Sequence, residues 1–177
     1  MLTAVERGQW PQVKELYQTA FPKAERKPFW MVRNAVRRGK EQLLTVAEDN
    51  GLAGFIAVIP YGDMLMVDYL AVAESQRGRG TGSAILQELE QRYPGKRIVL
   101  LIERPEEGAV NQFQRLARRR FYLKNGFDAT GLFMRGVSGA MEILSRGGRI
   151  TAGEYMSLQR HALGTVLFRL SDIALTA

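Results

Sequence analysis

The chain has 177 residues, of which 46% are hydrophobic, and it carries a net charge of +7 at pH 7. Its length suits a single domain over residues 1–177, and no apolar run reaches the roughly 18 residues that a membrane-spanning helix needs. Cysteine is absent, which excludes disulfides and thiolate metal ligands. Because the N-terminal residues also lack the apolar stretch of a secretion signal, we expect a cytoplasmic protein without a membrane partner.

The N-terminal segment predicts two helices. Apolar residues at near-helical spacing predict the first over residues 3–20 and the second over residues 28–39, where Gly39 ends it. Trp10 and Trp30 lie in these helices, and we expect both side chains to pack in the core.

Three runs with the composition of strands follow these helices. They cover Leu43–Glu48, Gly51–Ile59 and Met64–Val72. Between the first two, Asp49-Asn50-Gly51 is typical of a tight hairpin turn. This stretch therefore predicts an antiparallel meander.

Helices and strands alternate in the rest of the chain. The predicted elements are a helix over Ser83–Tyr93, a strand over Arg97–Glu103, a helix over residues 108–124, strands over Phe127–Arg135 and Ala140–Ser145, and a helix over Thr151–Leu163. At the start of the last helix, Thr151 and Glu154 have the spacing of a capping box. This order of elements requires a mixed sheet, and the strand–helix–strand unit over residues 64–103 predicts a parallel pair.

A glycine-rich turn separates the third strand from the helix that follows it. It contains Gly78, Gly80 and Gly82, with Arg77 directly before the first glycine and Arg79 between the first two. Glycine allows positive φ and a close approach of backbone to ligand, and the unpaired amides at a helix N-terminus attract anions. Arginine adds forked donors that suit phosphate. The turn therefore predicts a pyrophosphate site, and the net charge of +7 suits such a partner, although solubility explains that charge equally well.

Two familiar phosphate-binding motifs do not fit this turn. A Walker P-loop ends in Gly-Lys-Ser/Thr, and the corresponding residues here are Gly82-Ser83-Ala84. A dinucleotide fingerprint needs G-x-G-x-x-G after a strand of a parallel sheet, whereas residues 78–82 read G-x-G-x-G after an antiparallel meander.

Two segments resemble one superfamily. Residues 77–82, Arg-Gly-Arg-Gly-Thr-Gly, resemble the R/Q-x-x-G-x-G/A signature of the GCN5-related N-acetyltransferases (the GNAT superfamily). Residues 118–127, Arg-Arg-Arg-Phe-Tyr-Leu-Lys-Asn-Gly-Phe, resemble its later motif. The resemblance covers residues 40–136 and implies an α/β fold, with a mixed, mostly antiparallel sheet flanked by helices and a splayed central pair of parallel strands. Residues 137–177 would form a C-terminal extension.

The resemblance implies acetyl-CoA as co-substrate, with its pantetheine arm between the splayed strands, and it implies no metal. The residues that it assigns to acetyl-CoA are Leu70, Ala71 and Val72 beside the pantetheine, Arg77, Gly78, Arg79, Gly80, Thr81, Gly82 and Ser83 around the pyrophosphate, and Asn111 from the next helix.

The same resemblance suggests catalytic residues. Tyr122 stands where many members keep a tyrosine beside the cofactor sulfur, so it is the candidate general acid. Some members carry a glutamate base where this chain has Met66. Asp68, on the same strand face as Met66, and Glu103, at the end of the next strand, are the alternative bases. Either could instead bind substrate or form a structural ion pair.

The function implied by the resemblance is acetyl transfer from acetyl-CoA to a primary amine, by direct attack in a ternary complex. The acceptor would be an amine of a small molecule or a peptide. The alternative is a non-catalytic acyl-CoA sensor with the same fold, which the methionine at position 66 favours. Dimers are common in the superfamily, so a homodimer stays open.

A run of basic residues in the fourth predicted helix has three interpretations. It consists of Arg115, Arg118, Arg119 and Arg120. A solvated helix face is the expected one, and contact with the 3′-phosphate of the cofactor or with an acidic substrate is the alternative. Because no aromatic-studded basic strand or recognition helix accompanies the run, we do not expect a nucleic-acid partner.

Overall fold

The computed structural model describes residues 1–23, 26–48, 51–136, 139–164, 168 and 174–176. Its helices and its mixed, mostly antiparallel sheet with one parallel pair confirm the predicted fold class. The chain divides into two compact units, residues 1–60 with 67–96, and residues 61–66 with 97–177. The assignment of residues 1–177 to one domain stays a prediction.

The first unit contains the helices and strands of the N-terminal half. They are α1 (Trp10–Ala20), α2 (Phe29–Arg37) and α3 (Thr81–Arg92), with β1 (Thr3–Ala4), β2 (Gln42–Glu48), most of β3 (Gly51–Tyr61) and the C-terminal part of β4 (Met64–Val72). The strands follow the order β1-β2-β3-β4, and β2 pairs antiparallel with β3, as the meander predicts. Asp49 and Asn50 of the predicted hairpin turn lie outside the described residues.

Apolar faces of the first two helices form the core of this unit. Val13 and Tyr17 of α1 and Val32 of α2 are buried against strand residues that include Phe55 and Tyr69. The Tyr17 and Tyr69 rings meet edge-on with their centroids 4.8 Å apart, a favoured aromatic geometry. The helical spacing of these apolar residues thus fixes which face of each helix is buried.

Two predictions for the N-terminal segment are wrong. The helix predicted over residues 3–20 begins only at Trp10, because Thr3 and Ala4 pair with β2 as a short strand. Pro11 supports this boundary, since proline is favoured in the first helical turn. Trp30 was expected in the core but is 68% exposed, whereas Trp10 is half-buried and packs edge-on against Phe29.

The second unit contains the C-terminal elements. They are β5 (Arg97–Glu103), α4 (Gln112–Lys124), β6 (Asp128–Gly136), β7 (Gly139–Arg146), α5 (Ala152–Leu163) and β8 (Ala174–Thr176). With the N-terminal part of β4, the strands follow the order β4-β5-β7-β6-β8. β4 and β5 form the parallel pair, and the other described pairings in this unit are antiparallel. The parallel pair predicted for residues 64–103 is confirmed, because a helical crossover joins its strands.

Arg97 ties several parts of the second unit together. Its guanidinium donates to both carboxylate oxygens of Asp63 (2.8 and 3.0 Å), to Glu154 (2.7 Å) and to the Arg149 carbonyl (2.7 Å). Glu154 also accepts from the Thr151 amide, which completes the predicted capping box of α5. The hydrogen bonds from Arg97, followed by those from Thr151, lower the pKa of Glu154 to about 2.

The variant Arg97→Met should lower the melting temperature at neutral pH, because Asp63 and Glu154 lose their shared cation. The folded-state pKa of Glu154 lies below its ordinary value, so its stabilisation is present above about pH 4.5 and lost as the pH falls through about 2. The difference in melting temperature between the variant and the wild type should therefore become smaller as the pH falls from about 4.5 to about 2. Thermal unfolding followed by circular dichroism measures this difference. Arg120→Met on an exposed position is the control. A deficit independent of pH would contradict the ion-pair explanation.

Candidate active site

The glycine-rich turn follows β4 after a short 3₁₀ helix over Glu74–Gln76. Gly78 and Gly80 have positive φ (+74° and +86°), and Gly80 is the N-cap residue of α3. The Ala84 amide donates to the Gly80 carbonyl at 2.9 Å, which starts the helix. Within the described part of the chain, the amides of residues 78–83 make no backbone hydrogen bond. They form the unpaired donor set that a helix N-terminus offers to an anion.

Arg77 takes a different part in the turn from the one expected. Its amide donates to the Glu74 carbonyl at 3.2 Å, and its Nε donates to the Val72 carbonyl at 3.3 Å. The amide of Arg77 is therefore in use, and the available amides start at Gly78. The side chains of Arg77 and Arg79 are exposed and still add positive charge beside them.

The C-terminal part of β4 presents two different faces. Tyr69 and Ala71 are buried in the core of the first unit, whereas Asp68, Leu70 and Val72 alternate with them and are half-buried. The face with Asp68 is thus the more accessible one. The backbone groups assigned to the pantetheine arm lie on the strand segment that leads into the turn.

Asp68 forms a close ion pair. Lys27, from the segment before α2, places its Nζ 2.7 Å from Asp68 Oδ2, and the Asp68 side chain is 11% exposed. Burial alone would lower the pKa of Lys27, but the facing carboxylate outweighs it and the net shift is upward. Lys27 therefore stays charged beside Asp68.

Glu103, the other candidate base, lies at the end of β5 and is 4% exposed. Its oxygens face Arg115 Nη2 at 2.9 Å, Arg118 Nη1 at 3.4 Å and Asn111 Nδ2 at 3.1 Å. Asn111 Oδ1 in turn accepts from Arg115 Nε at 2.7 Å. The structure thus brings Glu103 and Asn111 together, and both polar ends of the asparagine side chain are engaged inside this network.

The basic run of α4 is mostly not the solvated face that was expected. Arg115 and Arg118 pair with Glu103, and Arg119 makes a two-pronged contact with the buried Glu142 (2.8 and 3.1 Å). Arg120 alone of the four is exposed. The sequence hides these pairs because the carboxylates lie on strands far along the chain from the arginines.

Tyr122 is buried near the C-terminal end of α4. It is 8% exposed, and its ring packs edge-on against Phe121 and Phe127, with centroids 5.1 and 5.5 Å away. Burial raises the pKa of Tyr122 to about 12, although Arg118 opposes the shift. The phenol is therefore protonated at neutral pH, as a proton donor must be.

Sequence reasoning missed Glu41, which is 3% exposed and immediately precedes β2. It lies within hydrogen-bonding reach of the Asp68 carboxyl, and Lys27 contributes the nearby positive charge. No local motif signals this contact, because residues 27, 41 and 68 lie in three separate segments of the chain. The sequence gives one indication of such a contact, which is a charged residue directly before an apolar run typical of a buried strand.

Among the described residues, no group of three or more histidine, aspartate or glutamate side chains is placed to hold a metal ion. In the same described part of the chain, no helix is both long enough and apolar enough to cross a bilayer.

The mixed sheet with one parallel pair and the amide-lined turn between β4 and α3 are those of an acetyltransferase fold. Residues 39–129, just over half of the chain, match the family described as the acetyltransferase (GNAT) domain. The chain belongs to this family and is an N-acetyltransferase with acetyl-CoA as co-substrate. Residues 77–82 lie inside the matched range.

Solved structures share the fold at low sequence identity. A GNAT-family protein from Bacteroides thetaiotaomicron is 21% identical, with a TM-score of 0.73 over 95% of this chain and 98% of that one. An aminoglycoside 6′-N-acetyltransferase complexed with coenzyme A is 17% identical, with a TM-score of 0.66 over 82% and 96%. A variant of the spermidine N-acetyltransferase from Vibrio cholerae is 15% identical, with a TM-score of 0.62 over 82% and 94%. Among curated proteins, no sequence matches significantly.

Proposed function

We propose that this enzyme acetylates a primary amine of a small molecule or a peptide by direct attack on acetyl-CoA in a ternary complex. The absence of cysteine supports direct attack over a route through an acetylated enzyme, because no thiol is present to hold an acetyl group between two half-reactions. The sole histidine, His161, stacks with Tyr61 in the second unit, 4.9 Å between ring centroids, and belongs to neither motif. Structures that share the fold include aminoglycoside and spermidine acetyltransferases, which supports an amine acceptor.

The turn holds the pyrophosphate in this proposal. The amides of residues 78–83 point from a helix N-terminus, where backbone donors and the helix dipole favour negative charge. Arg77 and Arg79 contribute exposed positive charge, and Ser83 lies at the edge of the site. Leu70, Ala71 and Val72 supply backbone groups for the pantetheine arm.

Asp68 accepts the proton of the acceptor amine. It is preferred over Glu103 because two arginines and Asn111 already occupy the Glu103 oxygens, whereas Asp68 pairs through Oδ2 with one cation, the ammonium of Lys27. A carboxylate surrounded by three donors is a structural anchor rather than a free proton acceptor. Glu103 and Asn111 then hold the start of α4.

Tyr122 donates a proton to the sulfur of the leaving thiolate. Its buried phenol keeps this proton at neutral pH because its pKa is about 12. The tyrosine position comes from the family pattern, and its burial supports the role, since a water-poor setting strengthens a hydrogen bond to developing charge. We also propose a cytoplasmic location, as the lack of cysteine suggests.

Steady-state kinetics with a panel of primary amines tests this function. The enzyme should release one free CoA thiol per acetylated amine, with intersecting initial-velocity patterns. Tyr122→Phe should lower kcat by about 100-fold with little change in the KM of acetyl-CoA, since general acid catalysis typically contributes 10²–10⁴-fold. Phe121→Leu on the neighbouring ring is the matched control and should retain most activity.

Other results would exclude this function. Parallel velocity patterns would indicate a covalent intermediate. Tight CoA binding without turnover of any amine would favour the acyl-CoA sensor.

A further inference from the structure

A buried cluster of titratable groups lies in the first unit. Glu41 is 3% exposed, and its Oε1 has no hydrogen-bond partner within the described residues. Its carboxyl is within hydrogen-bonding reach of Asp68, whose Oδ2 lies 2.7 Å from Lys27 Nζ. Lys27 thus pairs directly with Asp68 and acts on the Glu41 carboxyl only through its charge.

Two tyrosines fix Lys27 in this place. The Tyr17 hydroxyl donates to the Lys27 carbonyl at 2.9 Å, and the Lys27 amide donates to the Tyr69 hydroxyl at 3.2 Å. Burial raises the pKa of Tyr17 and raises that of Tyr69 to about 12, so both phenols stay neutral. The charge of the cluster thus depends on Lys27 and the two carboxyl groups.

The two carboxyl groups cannot easily be ionised together. Two negative charges in a buried site repel each other, and one ammonium balances only one of them. Such a pair titrates as a unit and holds one proton over a range in which isolated carboxyls hold none. Burial, followed by the charge of Asp68, raises the pKa of Glu41 to about 8.

We propose that Glu41 is a positioning residue for acetyl transfer, because its carboxyl and that of Asp68 take up the proton of the acceptor as one unit. This inference rests on the proposed role of Asp68. One proton leaves the acceptor ammonium for Asp68 and is shared with Glu41, and the pair later releases it to water. The amine nitrogen then forms the bond to the acetyl carbon, the carbon–sulfur bond breaks, and the second amine proton is balanced by protonation of the CoA sulfur. Asp68 faces the amine, and Glu41 brings the affinity of the pair for this proton close to neutral pH.

The pH dependence of kcat separates the two carboxyl groups. The wild-type profile should rise with pH up to about 8, because the proton-accepting form of the pair appears there. Glu41→Gln should remove this rise and lower kcat at about pH 8 by on the order of tenfold. Glu48→Gln, on an exposed position of β2, is the matched control and should leave the profile unchanged.

The pH profile of Asp68→Asn distinguishes an error in the role of Glu41 from an error in the proposed role of Asp68 as the base. If Asp68→Asn abolishes the rise but Glu41→Gln keeps it, Glu41 has no part and Asp68 acts alone. If Asp68→Asn itself leaves the profile unchanged, the proposed base is wrong. Loss of the rise in both variants supports the pair.

Folding stability provides a readout that needs no acceptor. The pKa of Glu41 is higher in the folded protein than its ordinary value of 4.5, so the folded state keeps a proton that the unfolded state has lost. The wild type should therefore lose stability as the pH rises from about 4.5 to about 8. Glu41→Gln should gain in melting temperature relative to the wild type across that window, and a constant difference would overturn the inference.

A direct titration covers the case in which Glu41→Gln does not fold. Carbon-13 NMR of carboxyl-labelled wild-type protein, without acetyl-CoA or amine, should show one glutamate titrating near pH 8. In Asp68→Asn this signal should move to lower pH because the neighbouring negative charge is gone. If every glutamate carboxyl titrated near its ordinary value, the shared proton would not exist.

Discussion

Replacing Gly80 with valine should weaken CoA binding by about 10–100-fold while the protein stays folded. Gly80 is the N-cap residue of α3 with φ of +86° and ψ of −3°, a left-handed conformation that a β-branched residue strongly disfavours. Valine therefore moves the turn and misdirects the amides of residues 78–83. Hydrogen bonds to charged groups contribute ~1.5–3 kcal/mol each, so loss of one or two accounts for this change in affinity.

Gly39→Val is the matched control for this experiment. Gly39 also has positive φ (+69°), and an added Cβ at either glycine meets no atom within 4 Å. The two variants should lose similar stability from backbone strain, but only Gly80→Val should lose affinity for CoA in isothermal titration calorimetry. Equal CoA affinity in both variants would show that the turn does not hold the diphosphate.

Local patterns made the elements around this turn predictable. The three strands of the meander and the parallel pair depend on short-range alternation and on the order of elements, which the sequence displays directly. The capping box of Thr151 and Glu154 was predicted for the same reason, since its two residues are three positions apart.

Contacts between distant segments could not be predicted in this way. Arg115 was expected on a solvated helix face, and Glu103 as a base, a substrate contact or part of a structural ion pair with no partner named, yet the two residues pair with each other at 2.9 Å. Lys27 and Asp68 are likewise 2.7 Å apart but 41 positions apart in the chain. The chemistry of a buried charge depends on its partner, which only tertiary structure supplies.

The boundaries of the N-terminal helices depended on competition between local and long-range pairing. Thr3 and Ala4 fall within the helix predicted over residues 3–20, but they pair with β2 instead. Trp30 has the residue type of a core position and is nevertheless exposed on α2. Side-chain type alone does not decide burial when several faces of a helix carry large apolar residues.

Gly54 is a strand glycine for which the structure makes a strong prediction. It lies in β3, where an added Cβ would stand 2.7 Å from the Ala71 carbonyl oxygen and 3.2 Å from Cδ1 of Ile85. The Ile85 side chain can rotate away, but the Ala71 oxygen belongs to the backbone of β4. Gly54→Ala should therefore displace β4 and destabilise the protein by about 1–3 kcal/mol, the usual cost of overpacking a core.

The consequences of Gly54→Ala should extend to CoA binding, because Ala71 and Val72 are the last residues of β4 before the turn. Chemical denaturation should show the lost stability, and CoA affinity should fall with it. Gly153→Ala, in α5 with open space around its Cβ, is the control and should be neutral or stabilising. Adding Ile85→Val to Gly54→Ala should restore little, since the closest contact is with a backbone oxygen. Full recovery in that double variant would instead assign the clash to the isoleucine and leave the position of β4 unaffected.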